Sequence, residues 1–242
     1  MKIKQLFVRA VIFIAFVYAG LSFLGNARKE WDWVKQNPEY FPENEVTYAE
    51  GNKELIHFMY QYGMDAYVTG QPIAYTDQEK NETIPTLYQW DKRWGFETYG
   101  SSVIGFTGCA PTSLAMVLTG LTGNYDINPY DIASYAQKNG YYVSGFGTKW
   151  DLIPTMAARY GVSCTSLSVD EARIRAELEA GHPLICNMGP GHFTNTGHFI
   201  VIYQEKENML LVHDPNSVKN SKKEWEYATI SPEIRAVWSF GA

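Results

Sequence analysis

Cysteine is scarce in this chain. Three thiols in 242 residues exclude a disulfide framework and allow one bridge at most. Positive charge is also short, with 20 Lys and Arg against 26 Asp and Glu. The resulting net charge of -6 leaves no basic surface for nucleic acid. Charge is missing altogether from Ala10 to Gly25, with Lys2, Lys4 and Arg9 before the gap and Arg28 and Lys29 after it. That is the pattern of an export or anchor segment rather than of a folded core. The run is short for a membrane span, although Leu6 to Val8 extend it if Arg9 snorkels. Residues 1–27 are therefore expected to be a transmembrane anchor, in preference to a signal peptide removed near Gly25-Asn26-Ala27. The remainder is expected outside the cytoplasm, held at the cell membrane, or secreted if the segment is cleaved.

A 45% hydrophobic and 15% aromatic composition suffices for one core domain with appendages. Residues 28–83 are polar and aromatic, and only Leu55, Phe58, Met59 and Tyr62 recur at helical spacing there. This part reads as a stalk. The compact domain is expected over residues 84–242. Its first half carries helix punctuation: Asn128-Pro129 before a helix ending ahead of Gly140, Thr148 to Tyr160 closed by Gly161, and a capping box at Ser168 to Glu171 before a helix ending at Gly181. Its second half carries strand-like runs at Val162–Leu167, Leu184–Met188, His198–Gln204, Met209–His213, Trp225–Ile230 and Arg235–Phe240. Helices first and strands last predict an α+β domain, a helical half packed on a mainly antiparallel sheet.

Among the three thiols, Cys109 has a distinctive setting. Small residues lead into it, and Ala110, Leu114, Val117, Leu118 and Leu121 follow at the spacing of one helix face, with Gly120 and Gly123 bounding the far end. Pro111 is tolerated in a first helical turn, so Cys109 is expected at a helix start, where the dipole favours a thiolate. Cys164 and Cys186 lie in apolar, β-like runs and read as two buried thiols rather than a bridge.

A thiolate nucleophile needs a base, and the base needs a group to hold its other nitrogen. Of the five histidines, His57 and His182 read as surface or turn residues. His198 opens the apolar run Phe199 to Tyr203, so a titratable ring is fixed at a strand start. The next strand ends at His213-Asp214-Pro215-Asn216, and a hairpin turning at Lys206 to Asn208 carries Asp214 back beside His198. His192, in the glycine-flanked loop Gly189 to Thr194, is the reserve base, and Tyr141, Tyr142 and Trp150 are candidates to line subsites.

Five separated segments, Gln89-Trp90-Asp91-Lys92-Arg93-Trp94-Gly95, Gly108-Cys109-Ala110-Pro111-Thr112-Ser113, Gly147-Thr148, Gly197-His198-Phe199-Ile200-Val201 and Asp214-Pro215-Asn216, resemble in order the stand-alone branch of the bacteriocin-processing, papain-like cysteine peptidases. The resemblance implies a papain-like fold in which Cys109 attacks, His198 is the base and Asp214 orients it. It also implies that Gln89 supplies an oxyanion-hole donor, which requires the long segment before Cys109 to fold back. A peptide or protein substrate follows, with no cofactor, no metal and no nucleic-acid partner. The leader-peptide substrate and fused transporter of the best-known members do not transfer. The competing readings are a catalytically silent domain holding a peptide or wall fragment, and a metal site built from His192, His198, His213 and Asp214. The metal site is disfavoured because His213 and Asp214 point to opposite faces of a strand.

Overall fold

The computed structural model describes residues 27–42 and 45–241. They divide into two compact units between Ala66 and Tyr67. The segment 1–27, read from sequence as an anchor or signal, lies outside the described residues except for Ala27. Among the described residues no helix is long and apolar enough to cross a membrane.

The first unit is helical, with residues 27–36, Glu45–Ala49 and Lys53–Gly63 in α-helix. Asn52 caps the last of these by accepting the Leu55 N–H, and Leu55, Ile56, Phe58 and Met59 are its buried residues. The Trp33 ring lies 5.5 Å from Tyr60, edge to face.

The second unit is built on a six-stranded antiparallel sheet. Its strands are β1 (Ser163–Leu167), β2 (Leu184–Met188), β3 (His198–Lys206), β4 (Met209–His213), β5 (Glu224–Glu226) and β6 (Ile234–Gly241), and they run across the sheet in the order β1-β6-β2-β3-β4-β5. The helices that precede or interrupt them are α1 (Cys109–Thr122), α2 (Pro129–Lys138), α3 (Leu152–Arg159) and α4 (Glu171–Glu179). Helix α1 packs against one face, where Leu114, Val117 and Leu118 join Ile185, Phe199, Val201, Trp238 and Phe240 in one core. Ile174 and Leu178 of α4 cover the other face with Phe193 and Trp225. The α+β order read from sequence is thus realised as a helical layer on an antiparallel sheet.

Several local expectations are corrected. Helix α1 is not one-sided: all residues from Ala110 to Thr119 are buried, as befits a helix enclosed by the fold. Gly123, at φ 64°, ends it as a left-handed cap. Gly120 does not end it. A Cβ there would sit 2.5 Å from Ile84 Cδ1 and 2.6 Å from Thr83 O, so Gly120 is the point where the preceding chain crosses the helix. Gly120→Ala is therefore expected to cost about 1–3 kcal/mol by overpacking, against its better helix propensity. An unchanged denaturant midpoint would contradict that crossing.

Thr148 belongs to a short hairpin with Tyr142–Val143, so α3 starts only at Leu152. Asp170, not Ser168, caps α4 by accepting the Arg173 N–H. The run Trp225–Ile230 splits into β5 and a helical turn, Tyr227–Ile230. Cys164 pairs with Phe240 and Cys186 with Val237, so β6 lies between the two thiols. Two strand spacings, about 10 Å, exceed a disulfide's reach, and all three cysteines are free. Burial pushes the Cys164 thiol up to about 11 and raises that of Cys186 as well, which makes both poor nucleophiles.

Candidate active site

The start of α1 is shaped by contact rather than by a capping side chain. Gly108 is the N-cap and makes no side-chain cap bond. A Cβ on it would fall 2.5 Å from Ile104 Cγ2 and 2.6 Å from Ile104 O. Only glycine lets the turn Ile104–Thr107 close onto the helix start. Cys109 is then the first helical residue, half-buried, with the whole of α1 behind it.

His198 and Asp214 arrive on one hairpin. Glu207 and Asn208 have φ of 51° and 65°, the paired left-handed residues of a tight type I′ turn. Lys206 faces Met209 and, past a bulge at Tyr203, Val201 faces His213. Asp214 follows directly, and its Oδ1 lies 2.8 Å from His198 Nε2. Cys109 also acts on the imidazole, as a hydrogen-bond and charge partner that raises its pKa. With Nε2 committed to Asp214, Nδ1 is the nitrogen left for the thiol.

Burial by itself would lower the His198 pKa. The Asp214 charge and hydrogen bond, then the Cys109 contact, outweigh it and raise the ring to about 10. The ring is an imidazolium at neutral pH, and its Nε2–H donates to Asp214.

His213, the neighbour of Asp214 in sequence, is the opposite case. It stacks on Tyr203 with ring centroids 4.0 Å apart and meets Ile84 O at 3.0 Å. Burial lowers its pKa to about 4, against weaker opposing effects of the Ile84 carbonyl and Glu82. It stays neutral in the fold, so it contributes stability above its unfolded value near 6.5 that is lost as the pH falls through about 4. It lines a cavity of about 520 Å³ with Glu82, Thr86, Tyr203 and Lys222, a space that does not include Cys109.

Gln89 is brought to the site by both backbone and side chain. Its N–H donates to Pro215 O at 2.8 Å, next to Asp214, and its Nε2 donates to Gly105 O at 2.9 Å, four residues ahead of Cys109. Trp90 Nε1 pins Asn216 O at 3.2 Å, so the Gln89-Trp90 segment is stitched to the turn that carries Asp214. The bond to a carbonyl fixes the amide's orientation, since the oxygen cannot face Gly105 O. One amide proton of Gln89 remains for a ligand.

His192 is drawn away from the site. Its Nδ1 lies 2.5 Å from Glu233 Oε1, and its backbone N–H donates to Glu233 Oε2 at 2.9 Å. His57 pairs with Glu30 within the first unit and His182 with Glu177. No group of three metal-ligating side chains forms among the described residues. The competing reading, a metal site built from His192, His198, His213 and Asp214, finds no support here, since His192 is bonded to Glu233, His198 to Asp214 and His213 to the Ile84 carbonyl. Tyr142 covers Gly100, where a Cβ would come within 2.0 Å of its ring. The Tyr141 hydroxyl pairs with Thr155. Trp150, 46% exposed, stands on Trp238 at 5.6 Å.

Two contributors escaped the sequence reading. Asn220 Nδ2 donates to Asp214 Oδ2 at 2.7 Å, and Ser221 Oγ bridges the Asp214 N–H and C=O at 2.9 and 3.2 Å. Both come from the short helix Val218–Ser221, capped by Ser217. Its only sequence signal is the serine four residues before the end of a polar stretch. With Asn216 N–H on Oδ1 at 2.8 Å, a carboxylate that is 1% exposed has a donor on each oxygen and two on Oδ1. Asn220→Ala is expected to lower kcat about 10-fold with little change in KM, through a misaimed Asp214. A selective rise in KM would remove that role. A third is Tyr99, fully buried, bonded to Thr148 Oγ1 at 2.7 Å and within electrostatic range of Cys109. This contact explains the Gly147-Thr148 motif as a brace for the nucleophile's surroundings.

No curated protein sequence matches the chain. Solved structures that resemble it include two peptidases. The peptidase domain of Streptococcus ComA, a bifunctional ABC transporter involved in quorum sensing, is 18% identical, covers 56% of this chain and 91% of its own, and superposes with a TM-score of 0.45. A protein described as a C39-like peptidase from Bacillus anthracis is 15% identical, covers 67% of this chain and 96% of its own, also at a TM-score of 0.45. At those scores nothing further follows from either. The sequence model of the Peptidase_C39 like family matches residues 81–239, which takes in Gln89, Cys109, His198 and Asp214, and this chain belongs to that family.

Proposed function

We propose that the chain is a papain-like cysteine peptidase. Its N-terminal segment holds it at the membrane with the catalytic unit outside the cytoplasm, and its substrate is a peptide or protein. The observation that carries the chemistry is a single imidazole, His198, bonded to Asp214 through Nε2 at 2.8 Å and raised in pKa by both Asp214 and Cys109. The Cys109 thiolate attacks the scissile carbonyl carbon. The oxyanion takes the spare amide proton of Gln89 and the N–H of Cys109. As the C–N bond breaks, the imidazolium gives its proton to the leaving amine, and a thioester remains. Water then gives a proton to His198 and its oxygen to the acyl carbon, which releases the acid and regenerates the thiolate–imidazolium pair.

The test is cleavage of a mixed peptide library by the full chain, read by mass spectrometry. Turnover is expected to vanish in Cys109→Ala and after one equivalent of iodoacetamide. Cleavage that survives in Cys109→Ala would overturn the assignment. Peptide binding without cleavage by the unmodified chain would replace it with a silent peptide-holding domain.

A further inference from the structure

The arginines of the second unit are used in pairs, with one exception. Arg93 is held by Glu79 and Asp91, Arg173 by Glu177, and Arg175 by Glu171 and Glu205. Arg159 lies over the Tyr135 ring at 5.0 Å. Arg235 is exposed and has no hydrogen bond, ion pair or ring contact among the described residues. Glu233, two residues earlier, does not serve it, because both of its oxygens are occupied by His192.

Arg235 sits at a site built for it. It lies in the β6 bulge between Ile234 and Ala236, where the register with β2 shifts, and bulges re-aim side chains beside functional sites. Its guanidinium rests on bare backbone. A Cβ on Gly189 would come 2.5 Å from Nε, 3.1 Å from Cζ and 3.2 Å from Nη2, and one on Gly197 would stand 4.0 Å from Nη1. Gly189 follows the end of β2, and Gly197 immediately precedes His198. Both ends of the loop before His198 are therefore glycine where the guanidinium lies. Across the sheet, Ile234 faces Met188 and Met188 faces His198, so the backbone of Arg235 stands about two strand spacings, or ~10 Å, from that of His198, and its guanidinium reaches back to Gly197, the residue before His198.

We propose that Arg235 is the specificity-determining residue of the site and selects peptides carrying a carboxylate near the scissile bond, on the side toward Gly197. The carboxylate is an acidic side chain or a free C-terminus. A guanidinium offers a rigid fork of N–H donors that matches a carboxylate with two parallel bonds, and one with no internal partner is free to make both. On a chain of net charge -6, an unpaired cation beside the candidate base is a local attraction for anions. This inference rests on the peptidase reading for its cleft, and the test separates the two.

Peptides matched except for Glu, Gln or Lys at the scanned position, with amidated C-termini, are compared with Gln peptides ending in a free carboxylate. Binding to the full-length Cys109→Ala chain is measured by calorimetry, alone and combined with Arg235→Ala or Arg235→Glu. Turnover and the iodoacetamide rate at Cys109 are measured in the chain with Cys109 present. The Glu-to-Gln ratio, in affinity and in kcat/KM, is expected to fall about 10- to 100-fold in Arg235→Ala and to invert toward Lys in Arg235→Glu. If the free C-terminus is the natural carboxylate, the same fall appears in the fourth peptide set and not with internal Glu. Equal losses on Glu, Gln and C-terminal peptides, or none, would overturn the role of Arg235. A slow iodoacetamide reaction with the ratio intact would overturn catalysis while leaving the recognition standing.

Discussion

Carboxamidomethylation of Cys109 is expected to remain fast at pH 6.5 and to fall about 100-fold there when His198 is replaced by alanine. An unassisted thiol with the ordinary value near 8.5 is only about 1% thiolate at that pH, and alkylation follows the thiolate. In the intact site His198 carries its proton up to about 10, held by Asp214 and Cys109, so a cation stands beside the sulfur throughout the neutral range. The same group sets the upper limit of turnover. The imidazolium must hand a proton to the leaving amine, so kcat/KM is expected to fall as the pH rises through about 10 rather than near 7. Cys164 and Cys186 serve as internal controls, since burial raises both thiols and neither is expected to react. Equal rates at pH 6.5 with and without the imidazole would show that the pair is not formed.

Asp214→Asn is expected to reduce kcat by about 10³- to 10⁴-fold and to reverse the pH dependence of stability that His198 contributes. Asp214 is 1% exposed and accepts from His198, Asn220 and the Asn216 N–H. An amide must turn its own NH₂ group toward either His198 or Asn220, where a donor already points. Without the carboxylate, burial dominates the imidazole and depresses it. The raised pKa of the wild-type ring contributes stability that is full below the unfolded value near 6.5 and lost as the pH rises through about 10. The variant's neutral ring contributes stability above its unfolded value that is lost on acidification. Thermal unfolding at pH 6 and pH 9.5 should therefore show the wild-type chain relatively stronger at pH 6, with this difference shrinking or changing sign in Asp214→Asn. Removing one partner of a buried pair also carries a cost of about 3–5 kcal/mol near neutrality. A variant with an unchanged pH profile would mean that Asp214 does not hold the imidazolium.

Much of the site was legible in the chain because each candidate residue is tied to a local signal. Cys109 is marked by the glycine before it and the apolar run after it, and His198 by its place at the mouth of a core strand. Asp214 follows from hairpin arithmetic, since a two-residue turn at Glu207-Asn208 fixes which residues of β3 and β4 meet. What stayed hidden depends on contacts with no local period. Asn220 meets Asp214 through a four-residue helix whose only sequence mark is its serine cap. Gly120 has the sequence appearance of a helix stop, yet it is a crossing point. His192, in a loop beside the His198 strand, has the chemistry of a base but is tied to Glu233, forty-one residues away in sequence.

The sequence by itself determined the order of helices before strands, the hairpin that pairs His198 with Asp214, and the place of a cysteine at a helix start, because periodicity, turn chemistry and capping act over a few residues. Tertiary structure alone decided the protonation states and the spare donors. His198 and His213 lie fifteen residues apart on one hairpin, yet the first is raised to about 10 and the second lowered to about 4. The difference is the company each ring keeps: a buried, hydrogen-bonded carboxylate beside His198, and a carbonyl, a hydroxyl and a stacked phenol in contact with His213, with Glu82 a weaker influence. Among the described residues, tertiary structure likewise left Arg235 without a partner while giving the unit's other arginines a carboxylate or, for Arg159, an aromatic ring, since a charge is satisfied or stranded only by what the folded chain brings within a few ångströms of it.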